Sequence, residues 1–302
     1  MKIKFWGVRG SIPCPGPATV QYGGNTACIE VRIPGIDRVI IIDAGSGIRE
    51  LGNFIMANDL PKGPINADIY LTHTHWDHIM GFPFFTPSYI PGTKIKVHGP
   101  INHEVSLEKA VGGQLTYRYF PINENWLAAD ISYVELKEEV FDLGGGAKLI
   151  TKYLNHPITC IGYRFEYNGK VFCTCYDTEP FRNGFDDPSD PSYDEATALE
   201  AQPIVDEQNR MIEELITGAD LLVYDAQYTK AEYASKVDWG HTPMEFAIES
   251  ANRMGVKALA LFHHDPMRSD QNIEELSKVY CVPGKYGPTD VFFAREGMVI
   301  EL

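Results

Sequence analysis

Three histidines and an aspartate fall within six consecutive positions, in the stretch Leu71-Thr72-His73-Thr74-His75-Trp76-Asp77-His78. His73 and His75 lie two residues apart at the end of an apolar run that predicts a strand, so both side chains can point to one side. Asp77 and His78 follow this strand and can point toward a second metal position. Such a cluster, together with ligands from elsewhere in the chain, offers more ligands than one tetrahedral zinc ion needs. The stretch therefore predicts a two-metal centre.

Length and charge favour one large domain and a small ligand. The 302 residues, 44% of them apolar, suffice for one sizeable core. A net charge of −15 argues against a long nucleic acid held through its phosphates. That charge is concentrated between Phe185 and Glu214, where ten carboxylates accompany a single arginine. We interpret residues 181–218 as an acidic insertion in a single domain of residues 1–302.

Nothing in the sequence predicts export or membrane insertion. The opening residues Met1–Trp6 lead into glycine and arginine instead of a long apolar region, and no apolar run approaches the length of a membrane span. The six cysteines lack zinc-finger spacing, and Cys173 and Cys175 share one face of a predicted strand. We therefore expect reduced thiols in a cytoplasmic protein. The sequence leaves open whether the chain forms a homodimer.

Periodic patterns predict strands that alternate with helices in both halves of the chain. The Asn168-Gly169 pair predicts a tight hairpin between the strands Cys160–Tyr167 and Lys170–Tyr176. A second hairpin, around Glu296-Gly297, is expected to close the chain.

A helix is predicted to begin close to His241. Thr242 has the side chain of an N-cap, Pro243 suits the first helical position, and Glu245 would complete a capping box. This arrangement would fix His241 immediately outside the helix N-terminus.

Two other residues are candidates for the surroundings of a metal site. Arg9 is the only basic residue of the long loop Gly7–Gly24, where it either contacts an anionic substrate or has a structural role. Asp43 ends a predicted strand, and metal-bound imidazoles usually donate their second N–H to such a carboxylate.

The candidate ligands share a position at predicted strand ends or in the turns that follow. They are His73, His75, Asp77, His78, His156, Asp177, His241 and His263. We expect these positions to gather at one edge of a sheet sandwich.

The pattern His-x-His-x-Asp-His after an apolar strand resembles the metallo-β-lactamase superfamily, whose redox members with iron carry Glu where this chain has His75. Further motifs resemble, in order, those of its phosphodiesterase branch: His156, Tyr176-Asp177-Thr178, Leu221–Ala226, Gly240-His241-Thr242 and Leu261-Phe262-His263. That branch includes transfer-RNA 3′-processing endonucleases and cyclic phosphodiesterases. This chain departs from it in its acidic insertion and in lacking the basic, glycine-rich arm that RNA-processing members use to hold transfer RNA.

The resemblance implies an α/β fold, an αββα sandwich of two mixed sheets with helices outside. It also implies a ligand set. The first ion would be bound by His73, His75 and His156 and the second by Asp77, His78 and His263, with Asp177 bridging the two. His263 is preferred to His264 because the family places this ligand three residues before the proline that is Pro266 here. We expect two divalent ions per chain, with Zn²⁺ as the first choice, although Mn²⁺ and Fe²⁺ suit the same ligands.

The implied reaction is hydrolysis of a small phosphodiester, such as a cyclic nucleotide or a cyclic sugar phosphate. A metal-bridged hydroxide would attack phosphorus, and His241, oriented by Asp225, would protonate the leaving oxygen. Asp77, His241 and Asp225 are thus the catalytic candidates. Three alternatives stay open: an RNA 3′-end processing endonuclease, a hydrolase of carboxylic esters, lactones or thioesters, and a binding module that senses a nucleotide without catalysis.

Overall fold

Two seven-stranded sheets form the centre of the protein in a computed structural model that describes residues 1–302. The strands, in chain order, are β1 (Lys2–Gly7), β2 (Cys28–Arg32), β3 (Val39–Ile42), β4 (Asn66–Tyr70), β5 (Lys94–Pro100), β6 (Asp130–Leu136), β7 (Val140–Gly144), β8 (Ala147–Leu154), β9 (Cys160–Tyr167), β10 (Lys170–Cys175), β11 (Leu221–Asp225), β12 (Ala258–Phe262), β13 (Asp290–Phe293) and β14 (Val299–Glu301). The helices are α1 (Ile48–Asn58), α2 (Trp76–Ile79), α3 (Leu107–Gly112), α4 (Glu195–Ile216), α5 (Lys230–Tyr233), α6 (Met244–Arg253) and α7 (Asp270–Tyr280).

Both sheets are mixed. The first has the order β14-β1-β2-β3-β4-β5-β6, and its strands from β3 to β6 are parallel. The second has the order β13-β12-β11-β10-β9-β8-β7, and its strands from β10 to β13 are parallel. Ligand sites in parallel sheets form beyond the carboxyl ends of the strands. These ends therefore mark where the functional residues are expected.

Apolar side chains hold four layers together. Ile3, Phe5 and Ile40 of the first sheet pack with Tyr163 and Phe262 of the second in a core between the sheets. Separate clusters bury the apolar faces of α1 and α3 against the first sheet and of α4, α6 and α7 against the second. This helix, sheet, sheet, helix order confirms the predicted αββα sandwich.

The hairpin predicted at Asn168-Gly169 is present. Both residues have positive φ angles, 50° and 72°, as a tight two-residue turn between antiparallel strands requires. The closing hairpin around Glu296-Gly297 is wrong, because β13 pairs with β12 in the second sheet whereas β14 pairs with β1 in the first. The turn at Gly297 was real, but a turn signal does not specify which sheet the following strand joins.

The capping box predicted at Thr242 is also wrong. Helix α6 begins at Met244 with Pro243 as its N-cap, and no side chain caps it. The Thr242 hydroxyl instead donates to the carbonyl of Thr178, while Glu245 accepts from the Lys230 N–H and the Tyr280 hydroxyl. Both side chains therefore form hydrogen bonds with residues distant in sequence instead of the local bonds of a capping box. The strands β6 and β7 were missed altogether.

All six cysteines are free thiols, and Cys173 and Cys175 lie buried under the helices of the second sheet. No helix combines the length and the apolar character that crossing a membrane demands. The acidic segment 181–218, which we interpreted as an insertion, forms a loop and the long helix α4, whose inner face packs on β8, β9 and β10.

Candidate metal centre

The carboxyl ends of strands from both sheets bring the candidate residues to one place. His73 and His75 follow β4, and Asp77 and His78 lie in α2. The remaining candidates come from the second sheet and its loops: His156 between β8 and β9, Asp177 after β10, Asp225 at the end of β11, His241 before α6 and His263 after β12.

Three overlapping groups of ligand atoms form there, and all of them share the Asp177 carboxylate. The predicted ligands make up the first two, and the third consists of Asp177, Asp225, His241 and His263. His73, His75, His156 and Asp177 make the first group, with one potential ligand atom from each within 4.8 Å of the others. Asp77, His78, Asp177 and His263 make the second group by the same measure. The seven predicted ligands thus lie together, divided as the resemblance implied, with Asp177 common to both groups.

The separations between these atoms suit metal ligands. Two ligands about 2.0–2.1 Å from a tetrahedral zinc lie about 3.3 Å apart. His75 Nδ1 lies 3.1 Å from His156 Nε2, and His78 Nε2 lies 3.2 Å from Asp77 Oδ2. Asp177 reaches both groups, since its Oδ2 is 3.5 Å from His73 Nε2 and 3.3 Å from His78 Nε2.

Several of these atoms have no partner within the protein. His73 Nε2, His78 Nε2 and Asp177 Oδ1 are buried and make no hydrogen bond. A buried polar atom without a partner costs about 1–3 kcal/mol, and three that converge on one spot need a common explanation. Divalent cations bound by imidazole and carboxylate would satisfy all three, so the residues present fit two such ions.

Outer contacts fix which ring nitrogen faces the centre. His78 Nδ1 lies 2.7 Å from Asp43 Oδ2, His263 Nδ1 lies 3.0 Å from Gln227 Oε1, and His156 Nδ1 lies 3.0 Å from the Gly240 carbonyl. Each acceptor favours the tautomer in which Nδ1 carries the proton and donates it in the hydrogen bond, so the lone pair of Nε2 is available to a metal. Asp43 was expected here, whereas Gln227 and Gly240 were missed.

The surroundings of His78 attract positive charge. Burial by itself favours its neutral ring, but three neighbouring carboxylates, Asp177, Asp77 and Asp43, raise the pKa of His78 well above its ordinary value. The other side of the centre behaves differently, because burial holds the pKa of His73 well below its usual range and lowers that of His156 to about 4. The first group thus consists mainly of neutral imidazoles, whereas the second group has an excess of negative charge.

His241 and Asp225 form a pair beside the two groups. His241 Nδ1 lies 2.8 Å from Asp225 Oδ2, and the imidazole ring stacks on His263 with centroids 5.0 Å apart. Burial opposes protonation of His241, but the Asp225 carboxylate outweighs it and raises the pKa to about 9. The pair with Asp225 therefore favours the protonated form of the ring.

The backbone is strained where it delivers these groups. Asp43, Asp177 and His263 have φ angles of 60°, 35° and 62°, in the left-handed region that side chains usually avoid. Such conformations cost about 1–3 kcal/mol each and persist where the surrounding structure enforces them, often at functional sites. Gly10 allows its backbone to approach the His263 ring closely, because a Cβ at this position would lie 2.3 Å from the ring.

Two open questions from the sequence receive answers. Arg9 is fully buried and donates to the carbonyls of Gly23 and Arg268, so its role is structural. His264 points away from the centre, with Nε2 2.7 Å from the Ala294 carbonyl, and burial lowers its pKa to about 3. Only His263 of the two reaches the ligand groups.

Glu179 is a buried residue that sequence reasoning missed. Its Oε2 accepts from the Gly240 N–H at 2.9 Å, and its Oε1 accepts from the Asp238 N–H and the Tyr233 hydroxyl. Gly240 has a φ angle of 80°, and a Cβ there would lie 2.2 Å from His156 Nδ1. One carboxylate thus anchors Gly240 through its N–H, and the carbonyl of the same residue orients His156. Its place two residues after Asp177 was the available signal.

Glu179→Gln is expected to weaken metal binding by the first group about 10–100-fold, as loss of an outer partner usually does. The glutamine can still accept at one oxygen, but in either orientation its NH2 group faces a backbone N–H, that of Gly240 or that of Asp238. This opposition would loosen the loop that holds the Gly240 carbonyl against His156. Competition with a chelator measures the affinity. Tyr233→Phe is the matched control, because it removes a donor from the other oxygen and keeps the Gly240 anchor. Equal losses in both variants would contradict this role for Glu179.

Comparison with known proteins places the chain among metal-dependent hydrolases. A family model described as the metallo-beta-lactamase superfamily matches residues 22–202. A ribonuclease Z from Ligilactobacillus salivarius is 26% identical over 302 aligned residues, which cover 87% of this chain and 86% of that protein.

Two solved structures share the fold over its full length. The metallo-beta-lactamase fold protein YhfI from Bacillus subtilis has a TM-score of 0.63 at 17% identity, covering 99% of this chain and 98% of its own. A diphosphatase from the PhnP family has a TM-score of 0.64 at 18% identity, covering 100% of this chain and 97% of its own.

Proposed function

This chain belongs to the metallo-beta-lactamase superfamily of hydrolases, and we propose that it is a two-metal phosphodiesterase acting on a small phosphodiester. The observation that carries the proposal is the shared carboxylate of Asp177, which connects two complete ligand groups beside a His241–Asp225 pair. His73, His75 and His156 would bind one ion, Asp77, His78 and His263 the other, and Asp177 both.

Two divalent ions, when bound, lower the pKa of water toward neutrality and neutralise charge on phosphate oxygens. The protein supplies the geometry. Asp43, Gln227 and the Gly240 carbonyl hold three of the imidazoles by Nδ1, so their Nε2 atoms stay directed at the centre. The Ser11 N–H donates to Asp77 Oδ2 at 2.7 Å and fixes that carboxylate as well.

His241 would act as the general acid. An alkoxide departs poorly, so the leaving oxygen needs a proton, and the Asp225 carboxylate keeps the imidazole of His241 protonated and oriented through Nδ1. Its Nε2 is then free to donate. After transfer, the neutral ring remains hydrogen-bonded to Asp225 and can be reprotonated from water.

The choice of a small substrate rests on charge. The similarity to a ribonuclease Z supports RNA 3′-end processing as the alternative, and the similarity of fold to a PhnP-family diphosphatase is compatible with a smaller substrate. RNA bound through several phosphates needs clustered Lys and Arg, whereas Phe185–Glu214 carries ten carboxylates and one arginine. Asn183 bonds to Ala198 of α4, and Arg182 pairs with Asp238 at 3.0 Å, three residues before His241. These contacts support a position for the acidic insertion near the entrance.

We expect measurable hydrolysis of bis-p-nitrophenyl phosphate or a cyclic nucleotide, and no specific cleavage of a transfer-RNA precursor at physiological salt. Carboxylates repel a polyanion over about 8 Å, whereas a diester with one charge can be captured at short range. The assay uses metal-quantified protein and includes a carboxylic ester, a lactone and a thioester. Efficient release of a 3′ trailer would favour RNA processing, and turnover of the esters alone would favour the third alternative.

A further inference from the structure

The segment Val8–Ser11 joins the two sheets beside the candidate metal centre, and we call it the cross-sheet segment. It continues from β1 of the first sheet, where the Val8 N–H donates to the Asn25 carbonyl at 2.9 Å. It also pairs with His264, two residues after the end of β12 in the second sheet. The His264 N–H donates to the Val8 carbonyl at 3.0 Å, and the Gly10 N–H donates to the His264 carbonyl at 3.1 Å. A short run of backbone thus connects one sheet to the other.

Two ligands of the second group contact this segment, one from each sheet. The Ser11 N–H donates to Asp77 Oδ2 at 2.7 Å, and Asp77 lies in the short helix that follows β4 of the first sheet. Gly10 packs against the ring of His263, which follows β12 of the second sheet. His263 Nε2 in turn lies 3.1 Å from Asp77 Oδ2. The cross-sheet segment therefore supports the position of these two ligands relative to each other.

The side chain of Arg9 holds the segment in place from both sides. It is fully buried, and its Nε donates at 2.8 Å to the carbonyl of Gly23, in the loop that leads into β2 of the first sheet. Its Nη1 donates at 2.6 Å to the carbonyl of Arg268 and at 3.3 Å to that of Asp265, both in the loop after β12 of the second sheet. One guanidinium thus connects a loop of each sheet through the middle of the cross-sheet segment.

Stability alone does not explain why a charge is buried here. Removing a charge from water is costly, and a partner repays that cost only when the contact is close. Asp270 Oδ1 is 3.9 Å from Nη2 of Arg9, and this Nη2 has no hydrogen-bond partner. An apolar side chain of similar size would avoid the cost. What it would lack is the planar fork that donates in several directions at once, so the loops that Arg9 connects account for its presence.

We propose that Arg9 is a positioning residue for the second metal ion, because it fixes the segment that sets Asp77 relative to His263. The inference rests on the two-metal centre of the proposed function and goes beyond it, since Arg9 itself touches neither an ion nor the substrate. The ligands particular to the first ion form their hydrogen bonds with other parts of the chain; they are His73, His75 and His156. Loss of the guanidinium is therefore expected to weaken the second ion selectively.

Arg9→Lys keeps the buried charge but replaces the fork by a single nitrogen, which cannot hold both loops in the same geometry. We expect this variant to bind the second ion about 10–100-fold more weakly, the usual effect of losing an outer support, and to bind the first ion as the wild type does. Competition with a chelator, starting from metal-free protein, gives both affinities without any turnover.

Variants with one ligand removed show which ion is affected. His75→Ala should retain the second-group ion, and adding Arg9→Lys to it is expected to lower the remaining affinity about 10–100-fold. Asp77→Ala should retain the first-group ion, and there the same addition should leave the affinity unchanged. Gly10→Ala is a second test that keeps the guanidinium, because its Cβ would displace the His263 ring and weaken the same ion. It decides the question if Arg9→Lys does not fold.

Arg164→Lys is the matched control. Arg164 also donates to two backbone carbonyls, those of Leu215 and Thr217, but it connects β9 to the end of α4. This variant should keep both metal affinities even where its unfolding temperature falls as far as that of Arg9→Lys. Unchanged affinities in the Arg9 and Gly10 variants, equal weakening of both ions, or the same selective loss in Arg164→Lys would each overturn the assignment. A wild type that binds fewer than two ions would instead reject the two-metal centre, so the two failures are distinguishable.

Discussion

Purified Asp177→Ala protein is expected to retain almost no divalent metal, whereas the unaltered protein should carry about two ions per chain. Asp177 is the only residue common to both ligand groups at the seven-ligand centre, so its loss removes a ligand from each ion. It also leaves the Nε2 atoms of His73 and His78 without the carboxylate that lies 3.3 to 3.5 Å away. Elemental analysis after dialysis against metal-free buffer gives the stoichiometry.

Variants at other positions show whether Asp177→Ala loses metal because a shared ligand is gone or because the structure is disrupted. His75→Ala and Asp77→Ala each belong to one group and should retain about one ion. Asp177→Asn removes the charge but tolerates the φ angle of 35°, since asparagine is enriched in that region. Asp68→Ala removes a carboxylate 9% exposed, paired with Arg38, and should keep both ions. A wild-type stoichiometry of one, unchanged by saturating metal, would reject the two-metal centre.

The clustering of the proposed ligands was predictable because four of them stand close together in the sequence. His73, His75, Asp77 and His78 lie within six positions, and the strand that precedes them is recognisable by its apolar residues. The more distant ligands His156 and Asp177 could be found only by their order relative to other motifs. A lone histidine in a turn has no periodicity of its own, so spacing alone would not have selected it.

The residues that support the ligands were harder to predict. Gln227 and Glu179 act across gaps in sequence of 36 residues to His263 and 61 residues to Gly240. Such pairs depend on which loops meet, and this follows from the packing of the two sheets. The failed capping box has the same cause, because the Thr242 hydroxyl had a tertiary acceptor in Thr178. Asp43 was predictable since it ends the strand next to β4.

His241→Ala is expected to slow hydrolysis of a substrate with an alkoxide leaving group about 10²–10⁴-fold more than that of bis-p-nitrophenyl phosphate. The p-nitrophenolate ion leaves without a proton, whereas an alkoxide needs the one that His241 holds. Asp225→Asn should give the same pattern more weakly, because it removes the charge that keeps the ring protonated and oriented at 2.8 Å. Steady-state rates on a cyclic nucleotide and on the aryl diester measure the difference.

The metal content of His241→Ala decides whether His241 is a general acid or a metal ligand. His241 and Asp225 also have ligand-type atoms within 4.8 Å of those of Asp177 and His263, so His241 has an alternative role as a ligand. The hydrogen bond between its Nδ1 and Asp225 argues for a proton donor, since an ion in the second group would already have His78, Asp77, Asp177 and His263 as ligands. A general acid leaves the stoichiometry at about two ions when removed. If His241→Ala loses an ion, or if both substrates slow equally, His241 serves the metal centre and the leaving oxygen takes its proton from elsewhere.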